Sequence, residues 1–235
     1  MDVTPISLAL EASRRDSFET FQNEMSQAML FPLKRRNRMY SINRALETDL
    51  PNGLYVEFGV AAGGGCRLFS KFLRPAGKHM HGFDSFSGLE EDWTGWHGGH
   101  AQGAFSQGGK LPEVPDNITL VPGWIQDTLP IYLEETGDAP FSFIHMDMDT
   151  YTPTLCALQL VKPRLRAGSV ILFDELYGYP GWRHHEYKAL NEVLDEEDYR
   201  FVSFSNESVA IEMIRAPADK TADATASSRK SKESI

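Results

Sequence analysis

The chain has 235 residues, 41% hydrophobic and 24% charged, which suits one large domain with its own core and leaves little room for a second. Its 33 acids and 23 bases give a net charge of −10 at pH 7, a field that repels nucleic acid and anionic lipid and favours small-molecule partners. No run approaches the roughly 18 apolar residues of a membrane span, and the N-terminal stretch lacks the basic-then-apolar order of a secretory signal. Two cysteines, Cys66 and Cys156, fit a reducing, cytoplasmic setting with neither a disulfide nor a thiolate zinc site.

Residues 1–50 read as a helical extension, with Phe18, Phe21, Met25, Met29 and Leu33 spaced by three and four. Such amphipathic helices could pack between subunits of a homo-oligomer. The basic run Lys34-Arg35-Arg36-Asn37-Arg38 reads as a solvated helix face or a salt-bridging subunit contact. Pro51-Asn52-Gly53 breaks the chain, and a catalytic domain is expected over 51–215. It opens with a strand over 54–60, a glycine cluster, a helix over 66–73 and a strand over 80–84. From about 88 to 115 the pattern fails, and glycine, tryptophan and histidine dominate; an insertion this long is expected to be a functional lid. Strands follow at 118–121, 141–146 and 169–173, separated by helices at 128–135 and 154–166. A helix at about 184–196 and a hairpin of 200–204 with 209–213 close the domain. The tail, 216–235, lacks core-forming residues before its last and is expected to be disordered.

Alternating strands and helices imply right-handed crossovers and a doubly wound, mainly parallel α/β sheet, whose ligands bind beyond the carboxyl ends of the strands. The stretch VEFGVAAGGG is such an end. Gly59 is followed by Ala61 where a dinucleotide fingerprint wants a second glycine, and no Walker-type lysine is present. Glu57 inside the turn disfavours pyrophosphate but suits a cation. Glu57-x-Gly59-x-x-x-Gly63 therefore points to S-adenosylmethionine, whose amino group and sulfonium are positive. Asp84, with Ser85 beside it, ends the next strand, where an acid can accept from ribose hydroxyls; an N-cap is the competing reading.

Two apolar runs end in acids, IHMDMDTY and VILFDE. If their strands are neighbours, Asp147, Asp174 and Glu175 converge as three hard oxygen ligands suited to magnesium. Asp149 reads equally as a base or as an N-cap. Methyl transfer to an alcohol needs an aligned, activated oxygen and a proton acceptor; Asp147 or Asp149 is the first candidate, and His97 or His100 from the lid the second. The His97–His100 spacing without cysteine does not make a zinc site. His184 and His185 read as structural residues at a helix start, with the 177–182 loop bordering substrate, and His79 and His81 read as strand residues.

The motifs YVEFGVAAGGG, HGFDSFSGLEEDW, GWIQDTLP, HMDMDTYTPT and VILFDELYGYPGW, in this order over about residues 50–195, resemble the macrocin O-methyltransferase family. The more distant likeness is to catechol O-methyltransferase. The resemblance implies a Rossmann-like class I methyltransferase fold, S-adenosylmethionine as donor, and a sugar hydroxyl of a natural product as acceptor. It also implies a divalent cation at the acids of the fourth and fifth strands. It places Ile125 and Gln126 against adenine, Asp84 on ribose, and Glu57 and Gly63 near the methionine part. This chain departs at Glu175, where an aspartate or asparagine is usual, and at Thr150, where catechol enzymes carry a lysine. A nicotinamide-dependent oxidoreductase and a non-catalytic nucleoside-binding module are the alternatives.

Overall fold

In this computed structural model, which describes residues 4–218, eight strands form one sheet. They are β1 (Met29–Phe31), β2 (Leu54–Phe58), β3 (Met80–Asp84), β4 (Ile118–Pro122), β5 (Phe141–Met146), β6 (Val170–Phe173), β7 (Tyr199–Ser205) and β8 (Val209–Met213). The helices are α1 (Pro5–Met25), α2 (Lys34–Thr48), α3 (Gly64–Leu73), α4 (Ile125–Thr136), α5 (Tyr151–Val161) and α6 (Glu186–Val193). Across the sheet the order is β1-β7-β8-β6-β5-β2-β3-β4, and every pairing is parallel except the two made by β8. The chain winds outward from β2 to β4, then returns to lay β5 on the other side of β2. That reversal opens a crevice above the carboxyl ends of β2 and β5. The doubly wound, mainly parallel sheet expected from the alternation is the one observed.

Two apolar clusters, one on each face, hold the layers together. Phe58, Ile144, Met146 and Phe173 face α4, α5 and α6, while Tyr55, Phe143 and Leu172 face α2 and α3. Side chains alternate along a strand, so the next residues on the α2–α3 face are polar: Glu57 beyond Tyr55, His145 beyond Phe143, Asp174 beyond Leu172. Register completes the arrangement, since Glu57 pairs with His145 and His145 with Leu172. Helix α1 braces the loop after β6. Phe21 packs edge-on or tilted against Tyr177, Trp182 and Tyr187, Ser17 Oγ accepts from Gly178 N at 3.0 Å, and Trp182 Nε1 donates to Asp16 at 3.1 Å.

The N-terminal region differs from the reading as continuous helix. Residues 29–31 form a strand parallel to β7, and Phe18, Met29 and Leu33 are exposed while Phe21 is buried. Three and four spacing is therefore not one helix face here; the pattern runs through a turn and a strand. Helices α4 and α5 begin three residues earlier than their periodicity suggested, and the helix expected over 184–196 spans only Glu186–Val193. The 88–115 segment contains no helix or strand, as its composition implied. The tail expected to be disordered lies outside the described residues from 219 onward. Among the described residues, no helix is long and apolar enough to cross a membrane.

Candidate active site

A cavity of about 520 Å³ opens above the carboxyl ends of β2, β3, β5 and β6, within the roughly 300–1,000 Å³ usual for small-molecule sites. Its walls come from the glycine turn, the 88–115 segment, the start of α4 and the acidic strand ends.

On the glycine side, Gly59 adopts φ +88°, and a Cβ there would lie 1.7 Å from the Asp147 carbonyl oxygen, so only glycine lets β2 turn against β5. A Cβ at Gly65 would lie 1.7 Å from Glu57 Oε1. The turn is thus cut to fit the Glu57 carboxylate. Asp84 holds it open from the next strand, since Oδ2 accepts from Val60 N at 2.8 Å and Ala61 N at 2.7 Å, while Oδ1 accepts from Phe86 N. No helix follows Asp84, which removes the N-cap reading. Asp84 and Ser85 both line the cavity. Gly63, by contrast, faces Arg67 and Pro112 outside it, and its role is to start α3.

The floor on the other side is acidic. Glu57, Asp147, Asp149, Asp174, Glu175 and Glu186 cluster there, and all but Asp147 are buried. Lys34, Arg38 and His145 oppose them. Arg38 makes a two-pronged pair with Asp174 (Nε–Oδ1 2.9 Å, Nη2–Oδ2 2.6 Å) and approaches Asp147 at 3.4 Å. Lys34 donates to Glu175 and lies 3.5 Å from Asp174 and 3.7 Å from Glu207. His145 Nδ1 meets Glu57 at 3.0 Å and Nε2 meets Asp174 at 3.4 Å. Burial disfavours the imidazolium, but the hydrogen bonds to Asp174 and Glu57 outweigh it and raise His145 to about 9. Burial would also raise Asp174, yet His145, Arg38 and Lys34 hold its carboxyl well below the usual range. The remaining acids go the other way. Burial and then Asp174 push Asp147 up to about 6; burial with neighbouring carboxylates raises Asp149, Glu175 and Glu186.

Six carboxyl groups share three cations on this floor, and burial favours the neutral form of Asp149, Glu175 and Glu186. Asp147, Asp149 and Glu175 each offer an oxygen within 4.8 Å of the others, and Asp149 shares a hydrogen bond with Glu175. Hard donors so placed fit a cation such as magnesium. A second grouping, Glu57 with His145 and Asp147, is equally compact, but both ring nitrogens of His145 are engaged there, Nδ1 by Glu57 and Nε2 by Asp174. Of the three acids expected to share a metal, Asp147 and Glu175 therefore gather with Asp149, while Asp174 is engaged by Arg38. Asp149 is not an N-cap; Thr150 holds that position before α5.

The 88–115 segment folds over the cavity. Trp93 and Trp96 stack with centroids 4.1 Å apart and planes at 9°, and both line the cavity with His100 and Phe105. Leu89 and Gly103 pair through Leu89 N–Ala104 O and Gly103 N–Leu89 O, each 2.9 Å, which pins the base of the segment. His97 is exposed on the outer side of Trp96 and does not reach the cavity. Ile125 is buried and lines the cavity, with Trp124 beside it; Gln126 is exposed and donates to Glu90 at 3.2 Å. His185 is buried, with Nε2 facing the Thr94 carbonyl at 2.9 Å, as a structural residue would be.

Lys34, Arg38, His145 and Glu186 escaped the reading of the sequence. Lys34 and Arg38 share a helix row with Ser41, Ile42 and Ala45, which are buried, so these two leave the solvated face that Arg35 and Arg36 keep. A cation on a buried face requires an acid partner, and the fold supplies those partners from the strand ends. The contact of Asn37 Nδ2 with Ser208 O at 3.0 Å fixes the helix in place.

A family model described as a methyltransferase domain matches residues 56–176, more than half of the chain. Mycinamicin III 3''-O-methyltransferase of Micromonospora griseorubida is 26% identical over 208 residues, covering 77% of this chain and 78% of that one. Demethyldecarbamoylnovobiocin O-methyltransferase of Streptomyces niveus is 25% identical over 182 residues, 68% of each chain. Among solved structures, the calicheamicin methyltransferase CalS11 superposes with a TM-score of 0.64 at 20% identity, over 90% of this chain and 94% of that one, which speaks to the fold alone. The family resemblance carried by the five motifs is borne out. With this sheet order, a glycine turn under an acid and a match running from within β2 to just past β6, the chain belongs to the methyltransferase-domain family, as a class I, S-adenosylmethionine-dependent enzyme.

Proposed function

We propose that the protein moves the methyl group of S-adenosylmethionine to a hydroxyl on a sugar of a small natural product, with help from a divalent cation. The observation that carries this is one cavity with two unlike halves: a glycine turn enclosing the Glu57 carboxylate, and a carboxylate floor beside it. Glu57 Oε2 is buried with no partner, which suits the ammonium of the donor's methionine part. Asp84 and Ser85 line the cavity at a strand end, which suits ribose hydroxyls, and Ile125 with Trp124 suits adenine as an apolar wall. Relatives named as O-methyltransferases of mycinamicin III, a rhamnosyl-tetracenomycin and demethyldecarbamoylnovobiocin support the acceptor class.

Transfer needs the acceptor oxygen in line with the methyl and the sulfonium sulfur, with water excluded. The stacked Trp93–Trp96 pair supplies an apolar wall to the cavity, and the 88–115 segment covers the reacting centre. Asp147, with 26% of its side chain exposed, is the floor carboxylate most open to an acceptor and takes its proton; His100 is the second candidate base. A divalent cation, when bound, supplies positive charge that acidifies the hydroxyl and orients it. Residues 51–215 then act as the catalytic domain, with residues 1–50 completing its floor through Lys34 and Arg38.

Calorimetric titration of the purified protein with S-adenosylmethionine, S-adenosylhomocysteine and NAD tests the donor half. Binding of the two methionine nucleosides without NAD is expected. NAD binding with no response to either nucleoside would restore the oxidoreductase alternative.

A further inference from the structure

Helix α5 starts at Tyr151, two residues past Asp149, and its first turn lacks a cap of its own. Thr150 stands at the N-cap, where a threonine hydroxyl usually accepts from an amide two or three residues on. Here Thr150 N and Oγ1 both turn back to the Met148 carbonyl, at 2.6 and 3.4 Å. Pro153, at the third helical position, has no N–H to offer. The cap comes instead from Glu91, 61 residues earlier on the 88–115 segment. Its Oε1 accepts from Thr152 N at 2.8 Å, and its Oε2 accepts from Thr152 Oγ1 at 3.0 Å. We propose that Glu91 is the latch of the lid, a positioning residue that caps α5 only while the 88–115 segment lies over the cavity, and so couples closure to the shape of the Asp147–Thr150 turn.

The latch joins two walls of one cavity. On the lid side, Glu90 and Trp93 flank it and both line the cavity, with Trp93 buried. On the helix side, Met148, Asp149 and Pro153 line the same space next to Thr152. The other lid ties lead elsewhere: Glu90 to Gln126 on α4, and the Thr94 carbonyl to His185 after β6. Glu91 therefore ties the lid to the acidic turn. A carboxylate suits the place, since the first turn of a helix carries partial positive charge and a charged acceptor strengthens both bonds. The pair is also exposed to water, so it can part and re-form without stranding a buried charge. Asp149, between the latch and β5, holds φ +65°, a left-handed conformation that costs a non-glycine residue energy and persists where its surroundings hold it. Fixing the start of α5 fixes one end of that turn.

Amide hydrogen exchange of the full chain, read by mass spectrometry without ligand, tests the coupling. In Glu91→Ala, exchange over 88–104 and over 147–155 should rise together by about fivefold, the worth of one helix cap. Glu91→Gln keeps an oxygen for Thr152 N and should recover most of the protection. A rise confined to 147–155 would make Glu91 a helix cap and nothing more, and a rise in neither segment would remove it from both roles; each overturns the inference. Release of S-adenosylhomocysteine, followed by tryptophan fluorescence to which Trp93 and Trp96 contribute, gives a readout that a mere cap would not move. Glu91→Ala should release it about three to ten times faster than the unaltered protein, with Glu91→Gln in between. Equal rates in all three proteins would contradict the latch. Neither an acceptor nor a cation enters either measurement, so failure here leaves the reading of the acceptor and the metal untouched.

Discussion

The two halves of the cavity are built by opposite means. The glycine-turn half is local: Glu57, Gly59 and Gly65 lie within nine residues, and Asp84 reaches back to the Val60 and Ala61 amides between them from the adjacent strand. Backbone shape does the work there. The acidic half is assembled from α2, β5, β6 and α6, with Arg38 136 residues away from the Asp174 it holds. Charge balance does the work there, and it depends on a helix outside the βαβ core. A site can therefore be fixed by geometry on one side and by electrostatics on the other, and the two should fail differently when cut.

The largest effect is expected from Arg38→Ala. Removing one partner of a buried pair leaves Asp174 uncompensated, and denaturant unfolding should show a loss of about 3 kcal/mol or more. A loss under about 1 kcal/mol would mean the floor does not depend on the pair. Gly59→Ala comes next. Its Cβ would strike the backbone of β5 at a positive φ, so a loss of about 1–3 kcal/mol is expected in the same measurement. Gly65→Ala separates binding from stability, because the atom it meets belongs to the movable Glu57 side chain. S-adenosylmethionine affinity should fall about tenfold, the worth of one hydrogen bond to a charged group, with little change in unfolding. Equal affinity in the variant would remove Glu57 from the donor site.

The same contrast explains what could be read from the sequence. Strands β2, β5 and β6 announced themselves because buried parallel strands are largely apolar runs bounded by glycine or acids. Asp84, Asp147 and Glu175 were visible because they end those runs, where α/β sheets bind ligands. Strand β1 was not, since three residues carry no period and Met29 and Leu30 face outward at the sheet edge. Lys34 and Arg38 were misjudged for a physical reason. Cationic runs usually sit in water, and only the tertiary fold shows that the row they occupy is the one pressed against the sheet. His97 and Gln126 failed for the converse reason: motif position says nothing about which way an exposed loop or helix-start side chain turns.

Smaller effects refine the lid. Trp96→Ala removes a stacked pair and should cost about 1 kcal/mol in stability while raising KM for the acceptor more than it lowers kcat. An unchanged KM would take the tryptophan pair out of acceptor binding. His97→Ala should be nearly silent, within about 0.5 kcal/mol in stability and without effect on turnover, because the side chain lies outside the cavity.

Methyl-labelled S-adenosylmethionine, incubated with the protein and a panel of hydroxylated glycosides with added magnesium or with EDTA, tests the whole account in one assay. Label should appear on a sugar oxygen only when magnesium is present. Transfer that is undiminished by EDTA would contradict the role given to the acidic floor, and label on no hydroxyl of any glycoside would contradict the acceptor class.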